Sequence, residues 1–500
     1  MTVESKESGI LIDPKLRTAG LLRTFGRSTL WLWLDRGALR ISNALAGLLL
    51  IRYLGPSNFG VYVTALAYGE LVATLLNFGL NLRAARDAAI DDDQSRQIVA
   101  AHIAIAGVAA TLELTFFSIT VMEGYWELAA IAAGILLLNF ECTAGFCRGV
   151  LVADLRSRDS LPGSILSAAG MLVVAGCVIN FHLSALGLLV GLSTRSAIVA
   201  SLRLWQIRRH WPSKADLRFD QLRQTIARTW PYGTYSLTAI GYQRSSVLLL
   251  GIVAVPDEVG LFTAAMVLAY LYPLWSEAWN EAILPLMTRL FENGHFEDLF
   301  AVREKVLDVL LFMSVPIAVL MSVFAPQICS LFGPRFAGSA AVLRILAFRS
   351  MLAVLDGFIG QAFLTAIGRV GERRNAQIRA FFILATLTLL LGSYWGARGA
   401  AVALLCSDLV LFLQYIPICR KASLTLHWPA LLPNIGAGLA MALTAVYAPL
   451  ALWLLKLPPS VCVYILVLIC LARGRFLSAG DTLRECMTRR SFSLMTTSPR

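Results

Sequence analysis

Charge is scarce in this 500-residue chain: Asp, Glu, Lys and Arg together make up 15% of it, against about 25% in a soluble globular domain. That shortage excludes a soluble enzyme, and also a disordered chain, which stays unfolded through high charge and low hydrophobicity. Metal-binding patterns are missing too. The five histidines fall in no HExxH or paired spacing and the nine cysteines include no CxxC pair, so no metal site, cofactor or disulfide framework is expected. Cys142, Cys147, Cys177, Cys406, Cys462 and Cys470 sit inside apolar runs and are expected to act as small buried hydrophobes. The first 28 residues lack a short apolar core followed by a small-residue cleavage site, so no removable signal peptide is expected. The apolar runs do not alternate with polar residues, which argues against an outer-membrane barrel.

Apolar residues are what the chain has in quantity: 57% of the sequence, with a mean hydropathy of +0.70. A transmembrane helix needs roughly 20 of them in a row. Runs of that kind predict helices at 29–51, 60–82, 98–120, 126–147, 161–181, 184–206, 230–253, 259–287, 304–324, 339–366, 376–396, 399–418, 430–450 and 452–472. The expected fold is an all-α polytopic membrane protein of about 14 transmembrane helices. Twelve plus an irregular tail is the alternative, because Pro449, Pro458 and Pro459 interrupt the last two runs and a re-entrant hairpin would also fit them.

Charge sign along the chain sets the expected orientation. With the N-terminus in the cytoplasm, 33 of the 43 Lys and Arg fall in or beside inner segments, and four (Arg52, Arg335, Arg398 and Lys456) fall in outer loops. Both termini are therefore expected to be cytoplasmic. The net charge of +12 and pI near 9.5 then describe an inner rim facing anionic headgroups, and no nucleic-acid partner is expected. The longest inner connection, 207–229, carries six Lys and Arg among scattered Leu, Phe and Ile, and is expected as an amphipathic surface helix. No outer loop exceeds about 15 residues, which leaves no room for an extracytoplasmic catalytic or binding domain.

The chain also repeats itself. Residues 56–62 read Pro-Ser-Asn-Phe-Gly-Val-Tyr and residues 256–262 read Pro-Asp-Glu-Val-Gly-Leu-Phe, an ungapped offset of 200. Both link an odd-numbered span to the next on the outer side, and six spans separate them. Two parallel six-helix repeats around a central cavity are expected, a geometry suited to alternating access. The domain plan is a cytoplasmic segment 1–28, a first bundle 29–206, the linker 207–229, a second bundle 230–420, an extra helix pair 430–472 and a cytoplasmic tail 473–500.

Ionisable residues inside spans are costly, about 2.5–3.5 kcal/mol per Arg on insertion scales, and point to function. Arg40 lies mid-span, on a stripe with Arg36, Asn43 and Gly47. Arg244 lies mid-span in 230–253, and the 200-residue offset maps it to position 44, one turn from Arg40. The two are expected to line the cavity from equivalent places. Arg195 and Arg349 are also mid-span and join them as candidate substrate-binding cations. The structural alternative is pairing with Glu70, Glu113, Glu141, Glu277, Glu281, Asp356 or Asp408, with Arg349–Asp356 a candidate pair on one helix face. Arg36 and Arg344, near span ends, fit simple snorkelling. Glu70, Glu277, Glu281, Asp356 and Asp408 are the candidates for coupling transport to protons or sodium, with neutralising the arginines as their structural alternative.

The stretch Arg52-Tyr-Leu-Gly-Pro-Ser-Asn-Phe-Gly-Val-Tyr62, followed by Asn77-Phe-Gly-Leu80, resembles the N-terminal signature of the bacterial polysaccharide and O-antigen flippases of the multidrug/oligosaccharidyl-lipid/polysaccharide (MOP) exporter superfamily. Leu250-Gly251 through Val259-Gly-Leu-Phe262 is similar to that family's second copy, and Leu331-Phe-Gly-Pro-Arg-Phe336 to its outer loop before the tenth helix. One departure is Ser245-Ser246, where the family often has an acid after the seventh-helix arginine. The resemblance implies a transporter, not an enzyme, of the bacterial inner membrane. Its cargo would be an undecaprenyl-diphosphate-linked oligosaccharide, and its partners membrane lipids and the polymerase and glycosyltransferase machinery. Buried arginines suit a diphosphate. A drug or organic-cation exporter of the same superfamily and a lipid-linked peptidoglycan-precursor flippase are the alternatives.

Overall fold

A computed structural model describes residues 14–81, 92–153, 157–208, 219–271, 290–421, 431–447 and 457–468, together with Trp211 and part of 276–288. Its helices are α1 (Pro14–Asn77), α2 (Asp92–Met122), α3 (Trp126–Ala153), α4 (Ser157–Asn180), α5 (Ala185–Gln206), α6 (Phe219–Val253) and α7 (Pro256–Leu271). There follow α8 (Phe296–Val323), the short α9 (Ala325–Cys329), α10 (Ser339–Asp356), α11 (Val370–Lys421), α12 (Leu431–Tyr447) and α13 (Leu457–Leu468). Among the described residues there is no strand, and seven helices are long and apolar enough to cross a membrane. The chain is an all-helical membrane protein.

Two of these elements are each a pair of spans. At about 1.5 Å per residue, the 52 residues of α11 would reach ~78 Å, more than twice a ~30 Å hydrocarbon core. The helix breaks at Gly396 (φ 55°, ψ −130°), and Ser407 Oγ then donates to the Ala380 carbonyl at 2.7 Å while Arg379 Nε donates to Gln414 at 2.6 Å. Contacts between residues on opposite sides of the break mean that the chain has turned back on itself. The 64 residues of α1 are divided likewise at Gly55 (φ 71°, ψ 175°). Both glycines lie at positive φ, where a Cβ would be strained. With these breaks, each of the fourteen sequence spans falls at least in part on described helix, with most of 272–286, 448–456 and 469–472 outside the described residues. α10 continues through a π-helical turn, Gly357–Phe363, to Ala366, filling the 339–366 run.

Hydropathy set the bounds too short at several helices: α1 begins at Pro14 where 29 was expected, α2 at Asp92 where 98 was, α8 at Phe296 where 304 was and α11 at Val370 where 376 was. The stretch expected as a surface linker, 207–229, divides: 219–229 is continuous with α6, and most of 209–218 lies outside the described residues. A helix can run on past the apolar boundary, because its backbone bonds are satisfied in water as in lipid.

The chain forms two compact units, Met1–Leu50 with Tyr68–Leu237, and Ile51–Ala67 with Thr238–Arg500. In the first, small residues let backbones meet. A Cβ on Gly69 would stand 2.5 Å from the Gly134 carbonyl oxygen, and Ser42 and Ser193 donate to the carbonyls of Ala168 and Ala133. Its apolar core gathers Ile98, Phe146, Val150, Leu151 and Ile207.

In the second unit the three sequence motifs converge. A Cβ on Gly60 would lie 1.8 Å from the Pro256 carbonyl oxygen, and one on Gly260 would lie 2.0 Å from that of Pro56. Each copy of the repeat thus seats its glycine on the other copy's proline. Arg335 packs over Gly55, Arg52 over Gly333, and Phe336 meets Phe59 edge-on at 6.3 Å. The motifs that carry the family resemblance are therefore packing motifs.

The C-terminal pair docks on α8. Ala437, Met441, Tyr464, Leu468 and Val315 share one core, and Tyr464 Oη contacts both Asn434 Oδ1 (2.8 Å) and the Phe312 carbonyl (3.2 Å). Pro458 and Pro459 fall in the first turn of α13, where no intrahelical N–H is needed. Tyr464→Phe should lower stability by about 1 kcal/mol, read as a lower unfolding midpoint of the detergent-solubilised protein. An unchanged midpoint would mean that this hydroxyl does not hold the pair.

Of the six cysteines expected to be buried, Cys147 is buried, Cys142 and Cys406 are half-buried, Cys177 and Cys462 lie on exposed faces of apolar helices, and Cys470 is outside the described residues; Cys329 and Cys419 are buried as well. Burial raises the Cys329 thiol, outside the spans, to about 11, so it remains a neutral apolar group.

Candidate functional site

Intramembrane charge in the first unit is centred on α3 and α5. Arg195 forms a charge-paired hydrogen bond with Glu141, and Ser196 Oγ donates to the same carboxylate oxygen at 2.8 Å. Gly170 on α4 leaves the room that the arginine stem occupies, since a Cβ there would lie 2.8 Å from its Cγ. Nearby on α3, Asn139 Nδ2 donates to Glu113 at 2.9 Å, and His102 lies 3.3 Å from Thr143 while stacking on Phe146 at 4.0 Å. Arg203 donates to the Ala144 carbonyl and to Ser164, both at 2.8 Å.

The second unit holds a tighter cluster. Arg349 Nε on α10 donates to Asp408 Oδ2 at 2.6 Å, and Tyr242 Oη on α6 donates to Asp408 Oδ1 at 2.5 Å. The guanidinium also sits 5.3 Å from the ring centre of Tyr270 on α7, in the range of a cation–π contact. Four helical segments thus meet on one buried ion pair. Lower on α10, Asp356 accepts from Tyr415 Oη at 2.5 Å. Gly360 in the π-helical turn makes the opening, for a Cβ there would lie 2.6 Å from both groups. Asn280, buried to 8% exposure, has its amide beside Gly357 and no hydrogen-bond partner for Oδ1 among the described residues.

These contacts sort the candidate residues. Arg195 and Arg349 are each held by an acid of their own unit. The pair expected between Arg349 and Asp356 does not form. Residues seven apart rise ~10 Å along a helix, beyond direct contact, and the acid comes across from α11 instead. Arg244 is half-buried on α6. Two residues beyond Tyr242, it is rotated by about 200°, so it leaves the helix on the side away from the Asp408 cluster. Arg40 lies in α1 and its side chain is outside the described residues, as is that of Arg36. Glu277 and Glu281 are outside them as well. Glu70 is half-buried on α1, and Arg344 is exposed near the start of α10.

Sequence reasoning did not find the two phenols, Tyr242 and Tyr415. Each is one of many aromatics in an apolar run, and only tertiary packing marks it as the partner of an aspartate. Among the described residues no group of three or more His, Cys, Asp or Glu is arranged to hold a metal.

Known proteins place this architecture. The chain matches an uncharacterized membrane protein of Methanocaldococcus jannaschii at 26% identity over 230 residues, which is 43% of either chain, so less than half of that relative's length is covered. Among solved structures, the lipid II flippase MurJ in an inward closed conformation superposes with a TM-score of 0.73 at 11% identity, over 90% of this chain and all of that one. An inward-facing multidrug resistance MATE family transporter of the MOP superfamily superposes at 0.58 and 14% identity, over 76% of this chain and 94% of the other. At such identities the likeness is one of fold. The model of the family described as Polysaccharide biosynthesis protein matches residues 25–291, more than half of the sequence. With that match and the fold it shares with the MOP transporters, the chain belongs to the polysaccharide biosynthesis protein family.

Proposed function

We propose that this protein is a flippase that moves a polyprenyl-diphosphate-linked oligosaccharide across the bacterial inner membrane, for exopolysaccharide, capsule or O-antigen synthesis. The observation that carries the reading is a half-buried cation midway along an apolar helix: Arg244 on α6, two residues beyond Tyr242 and turned away from the Asp408 cluster. Arg195 and Arg349 are bound to Glu141 and Asp408. Arg244 and its near-equivalent Arg40 are the cations we assign to the diphosphate. A guanidinium fork matches phosphate oxygens two at a time, and a lipid tail can remain in the bilayer while the sugars cross. Glu70, Glu277 and Glu281 are the acids we assign to ion coupling, while Asp356 and Asp408 are bound to Tyr415 and Arg349 and are assigned to structure. Polymerase and glycosyltransferase enzymes would supply and consume the cargo.

The test is surface polysaccharide in cells depleted of the native protein and complemented with variants. A charge-assisted hydrogen bond contributes roughly 1.5–3 kcal/mol, so each Ala variant, Arg40→Ala or Arg244→Ala, should weaken diphosphate binding by about 10–150-fold. The Lys variants should keep partial export. Normal polysaccharide from a well-expressed Arg40→Ala/Arg244→Ala protein would overturn the assignment and favour a drug or organic-cation exporter.

Orientation is tested separately. With both termini cytoplasmic, a cysteine placed at Ser57, exposed beside the Gly55 break, should label from outside intact cells. One at Ser213 should label only after permeabilisation. Labelling of Ser213 from outside would reverse the topology.

A further inference from the structure

At the break in α11 the second unit carries a cavity of about 710 Å³ that none of the foregoing uses. Its size lies within the ~300–1,000 Å³ of small-molecule sites. Gly338, Gly392 and Gly396 give it stretches of wall without side chains. Tyr394 and Trp395 line it while exposed to 79% and 62%, and the polar groups beside them are Glu258, Ser393 and Arg398. Glu258 is fixed in place: its Oε2 accepts the Ala397 N–H at 2.7 Å, capping the second half of α11.

Each feature narrows the ligand. A lipid tail would set the Arg398 guanidinium and the second carboxylate oxygen of Glu258 against hydrocarbon, where polar and charged groups are costly. A phosphate is disfavoured by the Glu258 carboxylate, which already occupies the helix start after Gly396. Aromatic anchors at a membrane interface need no cavity beside them. Two exposed aromatic rings next to donors and acceptors suit a ligand with an apolar C–H face and a rim of hydroxyls.

We propose that this cavity binds the sugar part of the cargo. The assignment of the cavity to the outer face, where it would receive the glycan after crossing, rests on the transport reading and topology proposed above. The rings stack on the pyranose faces, and Ser393, Arg398 and Glu258 meet the hydroxyls.

The experiment uses full-length protein in phosphatidylethanolamine/phosphatidylglycerol nanodiscs. The probe is the lipid-free oligosaccharide released by mild acid from the host's own lipid-linked pool. Saturation-transfer NMR should show transfer to sugar ring protons, and titration should give an affinity that Tyr394→Ala or Trp395→Ala weakens by about 2–10-fold per ring. Tyr394→Leu and Trp395→Leu keep an apolar membrane anchor but lose the flat face. They should accumulate normally and bind as poorly as the Ala forms. Absence of transfer in the wild type, or equal affinity in the Leu variants, would overturn the site. Because the probe has no tail and no phosphate, the outcomes separate. Absence of sugar binding in a wild type whose export depends on Arg40 and Arg244 would remove this site and leave the flippase reading. Sugar binding that the Leu variants lose, with export indifferent to Arg40 and Arg244, would do the reverse.

Discussion

Arg349→Ala should cost the second unit about 3–5 kcal/mol, because it leaves the Asp408 carboxylate buried with half its partners gone. Asp408 is 7% exposed and Arg349 9%, so water cannot take the missing partner's place. Asp408→Ala should be as damaging, since it strips the guanidinium of its carboxylate and leaves the Tyr242 hydroxyl with only the longer 3.3 Å contact to Ser407 Oγ. Tyr242→Phe removes one hydrogen bond from a carboxylate that keeps its cation, and should cost roughly 1–3 kcal/mol. The double replacement Arg349→Met/Asp408→Leu should recover much of the loss, because two apolar side chains of similar volume need no desolvation. The measurement is the thermal midpoint of detergent-solubilised protein, with the fraction that elutes as a single species. Wild-type stability in Arg349→Ala would return that residue to the substrate cations. Full recovery of stability in the double variant without export would give the pair a role in transport beyond packing.

The second large effect belongs to the reciprocal glycine contact. Gly60→Ala and Gly260→Ala each place a methyl group within 2.0 Å of a carbonyl oxygen, and that neighbour is backbone with no rotamer to move. The two helix starts must separate, so each variant should lose at least the ~1–3 kcal/mol of an overpacked core and accumulate poorly in the membrane. Gly47→Ala is the matched control. It is helical, nothing lies within 4 Å of its added carbon, and Ala is the better helix former by about 1 kcal/mol. It should express at least as well as the wild type. Equal expression of Gly60→Ala and Gly47→Ala would mean that the close approach does not hold.

How far the sequence could be read follows from which forces leave a one-dimensional trace. Burial in lipid does, because ~20 residues must be apolar together. The 339–366 run therefore matches α10 and its π-helical continuation, and the two runs joined at Gly396 appear as the two halves of α11. The repeat left a trace because both copies need Pro and Gly four apart. Pair formation leaves none. Arg349 could be matched with any of seven acids by sequence, and the correct one lies 59 positions away on another helix. The same holds for Glu141, 54 positions from Arg195. The start of α6 at Phe219 was illegible for a different reason: hydropathy detects lipid, and those first turns are charged. Of the proposed site, the mid-span position of Arg244 was legible. Its direction away from Asp408 became visible only once Tyr242 was seen to face that acid.

The Pro56–Gly260 and Pro256–Gly60 contacts are two instances of one rule, residue i on j and j on i, which is the signature of an isologous interface between identical chains. A six-helix protein pairing with a copy of itself would have made the same contact from a single proline and a single glycine, so any change there would have struck twice. With both copies in one chain, the two sides of the contact can differ. Position 58 is now Asn while position 258 is Glu, and only the second holds the Ala397 N–H at the break in α11. The reciprocal contact is thus symmetric at its prolines and glycines and asymmetric at the position between them, so a change at Asn58 and the matching change at Glu258 should have unequal effects.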